Sequence, residues 1–205
     1  ELHDAKEYGS ILTVTPQDWS VLYDRFAEIT EDINMSREMA LRELLPLVQV
    51  AEALAQKYDA VVTNPPYMAD SGMSPCLLNY VKDNFKNYRN DLYSCFMKKA
   101  TDMLKANRFT GLMTSYTWMF LTAFSKMRIE MLSENSVVTL VQPEYHAFFK
   151  EAFVPICTFV LTNRCMNYAG DYIQLAKFTG AEEQEKRTLN AIMNSSCDYK
   201  FTVKQ

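Results

Sequence analysis

The sequence predicts an α/β fold: a mainly parallel sheet with helices on both faces and an antiparallel far edge. Short β-branched runs such as Ala60-Val61-Val62-Thr63 alternate with segments whose apolar residues recur at helical spacing. Toward the end, strand-like runs follow one another closely, as they do where a sheet finishes antiparallel. No repeat or low-complexity stretch intervenes, and 205 residues that are 48% hydrophobic can bury one sizeable core.

The elements follow in order. Ser10 to Val14 are expected as a short strand. Trp19 to about Asp32 carry Val21, Leu22, Phe26 and Ile29 at helical spacing, and a second helix is expected from Ser36 to Lys57, kinked or divided by Pro46. Ala60 to Thr63 suit a strand buried on both faces, and Asn64-Pro65-Pro66 stop it abruptly. A polar loop from Met68 to Pro75 leads to helices around Leu77 to Phe85 and Asp91 to Lys105. Phe109 to Thr114 is read as a strand, Phe120 to Ser133 as a helix, and Val137 to Val141 and Ile156 to Leu161 as strands. Beyond Arg164 the pattern weakens: Tyr172 to Phe178 is expected as a further strand, and Tyr199 to Gln205 as leading into a target-recognition region. In such a sheet, ligands gather beyond the carboxyl ends of the strands.

Composition narrows the partners. A net charge of −4 does not hold nucleic acid by bulk electrostatics. Lys82 to Arg108 nevertheless carries seven basic and three acidic residues, +4, and leaves −8 elsewhere; a solvated helical face explains such a patch more often than DNA does. The five cysteines (Cys76, Cys95, Cys157, Cys165, Cys197) include no Cys-x-x-Cys pair, and with only His3 and His146 beside them they are read as free thiols of a reducing cytoplasm, with no metal site. No apolar run approaches the roughly 20 residues that cross a bilayer, so the expectation is a cytoplasmic protein without a membrane partner. The chain opens at Glu1 and closes as a strand-like run begins, which reads as part of something longer.

The chemistry concentrates at Asn64-Pro65-Pro66-Tyr67. An exocyclic aromatic amine is a poor nucleophile because its lone pair is delocalised into the ring. Acceptors that hold the amino hydrogens favour a more tetrahedral, more reactive nitrogen, and the Asn64 side-chain oxygen and the Pro65 carbonyl can supply two. The proline rings fix φ, so these oxygens are held before substrate arrives. Tyr67 can stack on the ring that carries the amine, a contact worth roughly 1–3 kcal/mol per base. A base in duplex DNA would have to leave the stack to reach such a pocket. The plain alternative is a turn in which prolines end a strand and a tyrosine covers an edge; the position directly after an apolar strand favours the chemical reading.

The tetrapeptide resembles the catalytic motif of amino-group methyltransferases. With Asp4 to Ile11, Tyr58 to Met68, Asp91-Leu92-Tyr93 with Phe96, and Ser115 to Phe120, the chain from Asp4 to about Arg164 resembles the methylases of phage-exclusion (BREX) systems, PglX-like, and the related type IIG, Eco57I-like restriction-modification enzymes. The resemblance implies a partial Rossmann-like methyltransferase fold. It also implies methyl transfer from S-adenosylmethionine to N6 of an adenine flipped out of double-stranded DNA, in phage defence or restriction-modification, with other defence-system subunits as further partners. Asn64, Pro65, Pro66 and Tyr67 would be catalytic, Asn64 and Pro66 would also meet the cofactor, and Tyr67 and Phe148 would hold the base. The usual pair of glycines before Phe153-Val154 is missing, so Phe149 is an alternative to Phe148. Trp118 and Phe120 are read as core, or as support beneath the site.

One departure matters more. Gly9, Gly72, Gly111, Gly170 and Gly180 are all isolated, so the glycine-rich turn through which such enzymes hold the cofactor is absent. These 205 residues alone are therefore expected to bind cofactor weakly or not at all. Residues 1–165 are read as the C-terminal part of the catalytic domain, and 166–205 as its last strands and the start of a linker to a target-recognition region. Two other readings stand beside this one: a protein glutamine methyltransferase, whose chemistry also uses an Asn-Pro-Pro-Tyr loop, and a non-catalytic methylase remnant serving as a binding module.

Overall fold

A computed structural model describes residues 2–31, 34–145, 155–164, 169–194 and 196–204. They fall into two compact units, Glu1–Lys57 and Tyr58–Gln205.

The first unit is helical. A short helix α1 (Ala5–Tyr8) passes at Gly9, with φ 56° and ψ −146°, into a 3-10 turn, Gly9–Ile11. A turn beginning at a backbone conformation reserved largely for glycine displaces the strand expected over Ser10 to Val14. Helices α2 (Trp19–Glu31) and α3 (Met35–Ala55) match the sequence reading and pair with each other, with the Tyr23 hydroxyl donating to Glu52 at 2.6 Å. Asn34 caps α3 by accepting the Arg37 N–H. The helix runs on through Pro46 as one element of 21 residues, so the expected division does not occur. Leu44, Leu47 and Val48, on either side of that proline, line an apolar hollow of about 570 Å³ together with Leu22, Phe26 and Ile29 of α2.

The second unit is a six-stranded sheet in the order β1-β2-β4-β3-β5-β6, built from β1 (Tyr58–Thr63), β2 (Leu104–Ser115), β3 (Ser136–Gln142), β4 (Ile156–Thr162), β5 (Ala169–Gln174) and β6 (Lys200–Lys204). Parallel pairing joins β1 to β2 and β3 to β5. β6 runs antiparallel at the far edge, and β4 runs antiparallel between β2 and β3. Four strands thus share one direction, and the antiparallel character reaches inside the sheet as well as its edge.

Ladder register assigns the faces. Thr110, Leu112 and Thr114 of β2 share a face with Cys157, Phe159 and Leu161 of β4 and with Leu140 of β3, and all seven are buried. Helices α4 (Pro75–Asn84) and α5 (Leu92–Asp102) connect β1 to β2, and α6 (Ser125–Glu134) connects β2 to β3. Both connections step the same way across the sheet, so right-handed crossovers lay these helices over one face. Helix α7 (Ala181–Met193) lies on the other: its Ala191 packs with Ile173 and Val141, which are paired across β3 and β5 on the face opposite Leu140. Helices therefore flank both faces, as expected from the sequence.

Three stretches differ from expectation. Strand β1, expected to be buried on both faces, is the edge strand of the described sheet, and none of its residues is buried, because only β2 flanks it among the described residues. Phe120 to Ser133 is not one helix; two 3-10 turns, Tyr116–Met119 and Thr122–Phe124, precede α6. Arg128 of α6 reaches back to donate to the carbonyls of Trp118 at 2.6 Å and Leu121 at 2.8 Å, capping turns whose own ladder is incomplete. Trp118 is buried at 4% exposure, as read, but Phe120 is 67% exposed and is not core. The sequence reading places no helix over Ala181–Met193, where α7 forms, although its acidic first turn, Glu182 and Glu183, is a start signal.

Leu161 is fully buried and Val62 is 81% exposed on the opposite face. Leu161→Ala should therefore cost about 2–5 kcal/mol in equilibrium urea unfolding. Val62→Ala should stay within about 0.5 kcal/mol of the parent.

A candidate active site at the carboxyl tip of β1

Strand β1 ends at Thr63, and the chain turns through exposed Asn64, buried Pro65, exposed Pro66 and half-buried Tyr67. The Tyr67 hydroxyl donates to Asn64 Oδ1 at 3.1 Å and lies 3.2 Å from the Met113 carbonyl of β2. One phenol thus folds the elbow back on itself and fastens it to the neighbouring strand. Its ring meets Tyr93 of α5 edge to face, with centroids 5.8 Å apart and planes at 84°. Tyr93 is 1% exposed, and its hydroxyl lies 3.2 Å from Thr117 Oγ1, itself 2.9 Å from Ser115 Oγ at the end of β2. Burial, with smaller contributions from Cys157 and Asp91, pushes the Tyr67 phenol up to about 12. At neutral pH it remains a protonated donor, so the tie to Asn64 persists.

The loop beyond Tyr67 is also fastened. Asp91 caps α5 by accepting the Tyr93 N–H at 3.2 Å, and the same Oδ1 accepts the Met68 N–H at 3.0 Å. The Leu92 N–H returns a bond to the Met68 carbonyl at 2.8 Å, and Ala69 pairs with Asp91 as an isolated antiparallel bridge. Burial raises the Asp91 carboxyl above the usual range even though three backbone N–H groups work against it.

Beside the elbow, on the face opposite the helices α4 to α6, lies a shallow cavity of about 450 Å³. Val62, Gly111 and Met113 form its floor, with Thr158 on one side and Asn64 at the rim. A second cavity of about 400 Å³ lies under α7, bounded by Val141, Leu175 and Leu189, and shares Thr158 with the first. Glu185, Thr158 and Thr188 are the ionisable and hydroxyl side chains on its walls.

The structure brings Asn64, Pro65, Pro66 and Tyr67 together; Phe148 and its alternative Phe149 lie outside the described residues. The basic stretch is largely committed elsewhere. Lys98 pairs with Asp102 and Glu134, while Lys105 and Arg108 both pair with Asp59. Among the described residues Lys82, Lys86 and Arg89 are exposed with no ion pair. No cluster of His, Cys, Asp or Glu able to hold a metal occurs among them, and no helix is long and apolar enough to cross a membrane. Asp91-Leu92-Tyr93 and Ser115 to Thr117, to which the sequence alone gives no task, support the elbow.

An α/β sheet with an Asn-Pro-Pro-Tyr elbow at a strand tip places the chain in the methyltransferase class, and solved structures share the fold. One is a modification subunit of a putative type I restriction enzyme from Vibrio vulnificus YJ016, with TM-score 0.58 and 11% identity over 73% of this chain and 34% of that one. Another is a putative class I S-adenosylmethionine-dependent methyltransferase from Listeria monocytogenes, with TM-score 0.50 and 10% identity over 67% of this chain and 42% of that one. The chain belongs to the Eco57I restriction-modification methylase family, whose model matches residues 6–149. Two curated relatives are similar over nearly all of it. The adenine-specific methyltransferase BrxX of Escherichia coli O9:H4 (strain HS) is 30% identical over 97% of the chain, and the adenine-specific methyltransferase PglX of Lacticaseibacillus casei (strain Zhang) is 26% identical over 98%. The chain spans 17% of the length of each.

Removing the Tyr67 hydroxyl should loosen the elbow. Tyr67→Phe is expected to lower stability by about 0.5–1.5 kcal/mol in urea unfolding at neutral pH. The folded phenol titrates at about 12, above the ordinary value of roughly 10, so its contribution is fully present below pH ~10 and is lost as pH rises through about 12. The stability gap between parent and variant should narrow across that window, and a gap that stays constant would contradict the assignment.

Proposed function

We propose that this chain forms part of the catalytic domain of an adenine-specific DNA methyltransferase serving phage defence or restriction-modification. Asn64 and the Pro65 carbonyl would accept the two N–H bonds of adenine N6. The observation that carries this reading is the Asn64 carboxamide, exposed at the tip of β1 with its oxygen oriented by the Tyr67 hydroxyl. An sp² oxygen has two lone pairs, so one bond from Tyr67 leaves a second for the substrate amine. Double-stranded DNA is the proposed partner, with the target adenine flipped out to lie against the ring of Tyr67 and, across the base, Phe148.

Bound S-adenosylmethionine supplies an electrophilic methyl group. The residues present fit its reacting end: Asn64 borders the place where donor and amine would meet, above the apolar floor of Val62, Gly111 and Met113, and exposed Pro66 follows two residues on. They do not supply a nucleotide cradle, since no two glycines stand close together. This chain's own part is to orient the amine by its hydrogens and hold the ring flat. Methylation would leave N6 positively charged, and one of the two hydrogens held by Asn64 and Pro65 would then pass to solvent as the lone pair returns to the ring. Residues 1–165 would supply the later part of the catalytic domain, and 166–205 its closing strands ahead of a target-recognition region. Family membership favours DNA over a glutamine-bearing protein, and the intact elbow favours an enzyme over a remnant.

Two substitutions in the full-length protein test this on unmethylated genomic DNA. Asn64→Ala should reduce labelled methyl incorporation by on the order of 10²-fold or more while DNA affinity stays within about twofold, because the lost interaction belongs to the transition state. An equal loss of binding and turnover would remove Asn64 from that role. Tyr67→Ala should weaken capture of the extruded base by roughly 1–3 kcal/mol, read from the fluorescence of 2-aminopurine at the target position. An unaltered signal would contradict the stacking.

A further inference from the structure

The segment Asn64 to Ala69 contains two prolines and a bend, and little regular pairing holds it to the sheet once β1 has ended. Its backbone has to be fixed by something other than a ladder. Tyr67 supplies one anchor, through its hydroxyl to Met113 and its ring on Tyr93. The second anchor lies one residue on, where Met68 is gripped at both backbone groups by Asp91 and Leu92.

We infer that Asp91 is a positioning residue for methyl transfer, whose carboxylate sets the Asn64–Tyr67 elbow by holding the Met68 N–H while capping helix α5. This rests on the reading of Asn64 as the group that holds the reacting amine. Three observations carry it. First, a single oxygen, Oδ1, meets both Met68 N at 3.0 Å and Tyr93 N at 3.2 Å, so the loop and the first turn of α5 share one anchor. Second, the residue held by Asp91 through its backbone, Tyr93, is the residue on whose ring Tyr67 rests. A shift of Asp91 would move both supports of Tyr67 together. Third, Tyr67 orients Asn64 Oδ1, which completes the path from Asp91 to the reacting nitrogen. Asp91 touches no reacting atom in this scheme. Its effect is geometric, and misplacement of about 1 Å at a reacting centre can cost on the order of 100-fold in rate.

Helix capping and loop clamping can be separated by side-chain length and chemistry. Serine is a good N-cap and can still accept the Tyr93 N–H, but it is too short to hold Met68 as well; asparagine retains an oxygen at the same reach. The full-length enzyme carrying Asp91→Ser or Asp91→Asn is assayed for kcat and KM on unmethylated genomic DNA. Hydrogen exchange at the Met68 amide and the melting temperature are followed in parallel. Asp91→Asn should stay within about threefold of the parent in kcat. Asp91→Ser should lose about tenfold or more in kcat, with KM within about twofold. Its Met68 amide should exchange about tenfold faster or more, while the rest of the domain keeps its protection.

The inference is overturned by Asp91→Ser with parental kcat and a slow Met68 amide, by Asp91→Asn as impaired as Asp91→Ser, or by faster exchange throughout the domain, which would mark a structural role. If the parent enzyme transfers no methyl group to DNA, the proposed function fails instead. The local Met68 exchange then decides alone whether Asp91 clamps the loop.

Discussion

The phenol of Tyr67 is the contact on which the geometry of this chain turns. A strand that ends in two prolines has lost its ladder, and its next residues would wander unless something replaced the missing hydrogen bonds. Tyr67 does so from within the motif: its hydroxyl reaches Asn64 and Met113, and its ring rests on buried Tyr93. Burial keeps that hydroxyl protonated, so the group that fixes the elbow does not itself titrate under ordinary conditions. The residue expected to receive the substrate ring is therefore also a structural strut, and neither task can be altered alone by replacing the whole side chain.

Support for the elbow comes from elements far apart in sequence but adjacent at one end of the sheet. The end of β2 contributes Met113 and Ser115, the turn after it contributes Thr117, and the start of α5 contributes Asp91 and Tyr93. Parallel strands bring their carboxyl ends, and the loops that follow them, to the same edge, which is why such an edge gathers functional groups. The two faces of the sheet differ. One is sealed by α5 and α6 over Thr110, Leu112, Phe159 and Leu161, while the other leaves Val62 open beside Asn64.

Much of this arrangement is legible in the sequence, for identifiable reasons. Ala60 to Thr63 followed by Asn64-Pro65-Pro66 is a strand with an unmistakable stop, and β3 and β4 are short apolar runs bounded by polar residues. The reading fails where one distant contact decides local structure. Arg128 holds the turns that replace the first part of an expected helix, and no periodicity in residues 116–124 reveals a guanidinium ten residues away. Pro46 suggests a break, yet α3 runs through it as one helix of 21 residues. Helix α7 escaped notice because its buried residues are few and include Gln184, a polar side chain that earns its burial by donating to the Leu175 and Phe178 carbonyls. At the site, the motif singles out Asn64 and Tyr67, but the sequence could not show that they bond to each other.

The pairing of β1 with β2 is uneven along its length. Tyr58 lies opposite Leu104 and Ala60 opposite Phe109, so β2 makes an excursion of extra residues at the start of the pair. Asn107 turns there with φ 58°, a conformation asparagine tolerates better than most residues, and Asn163 pins both sides of the excursion at Lys105 and Arg108. From Ala60 onward the register is regular up to Thr63. The irregularity is thus confined to the end of the sheet remote from Asn64 and clamped by its own bonds. Chain length could change at that end, and the bulge would absorb the change before it shifted the alignment of the tip that carries Asn64.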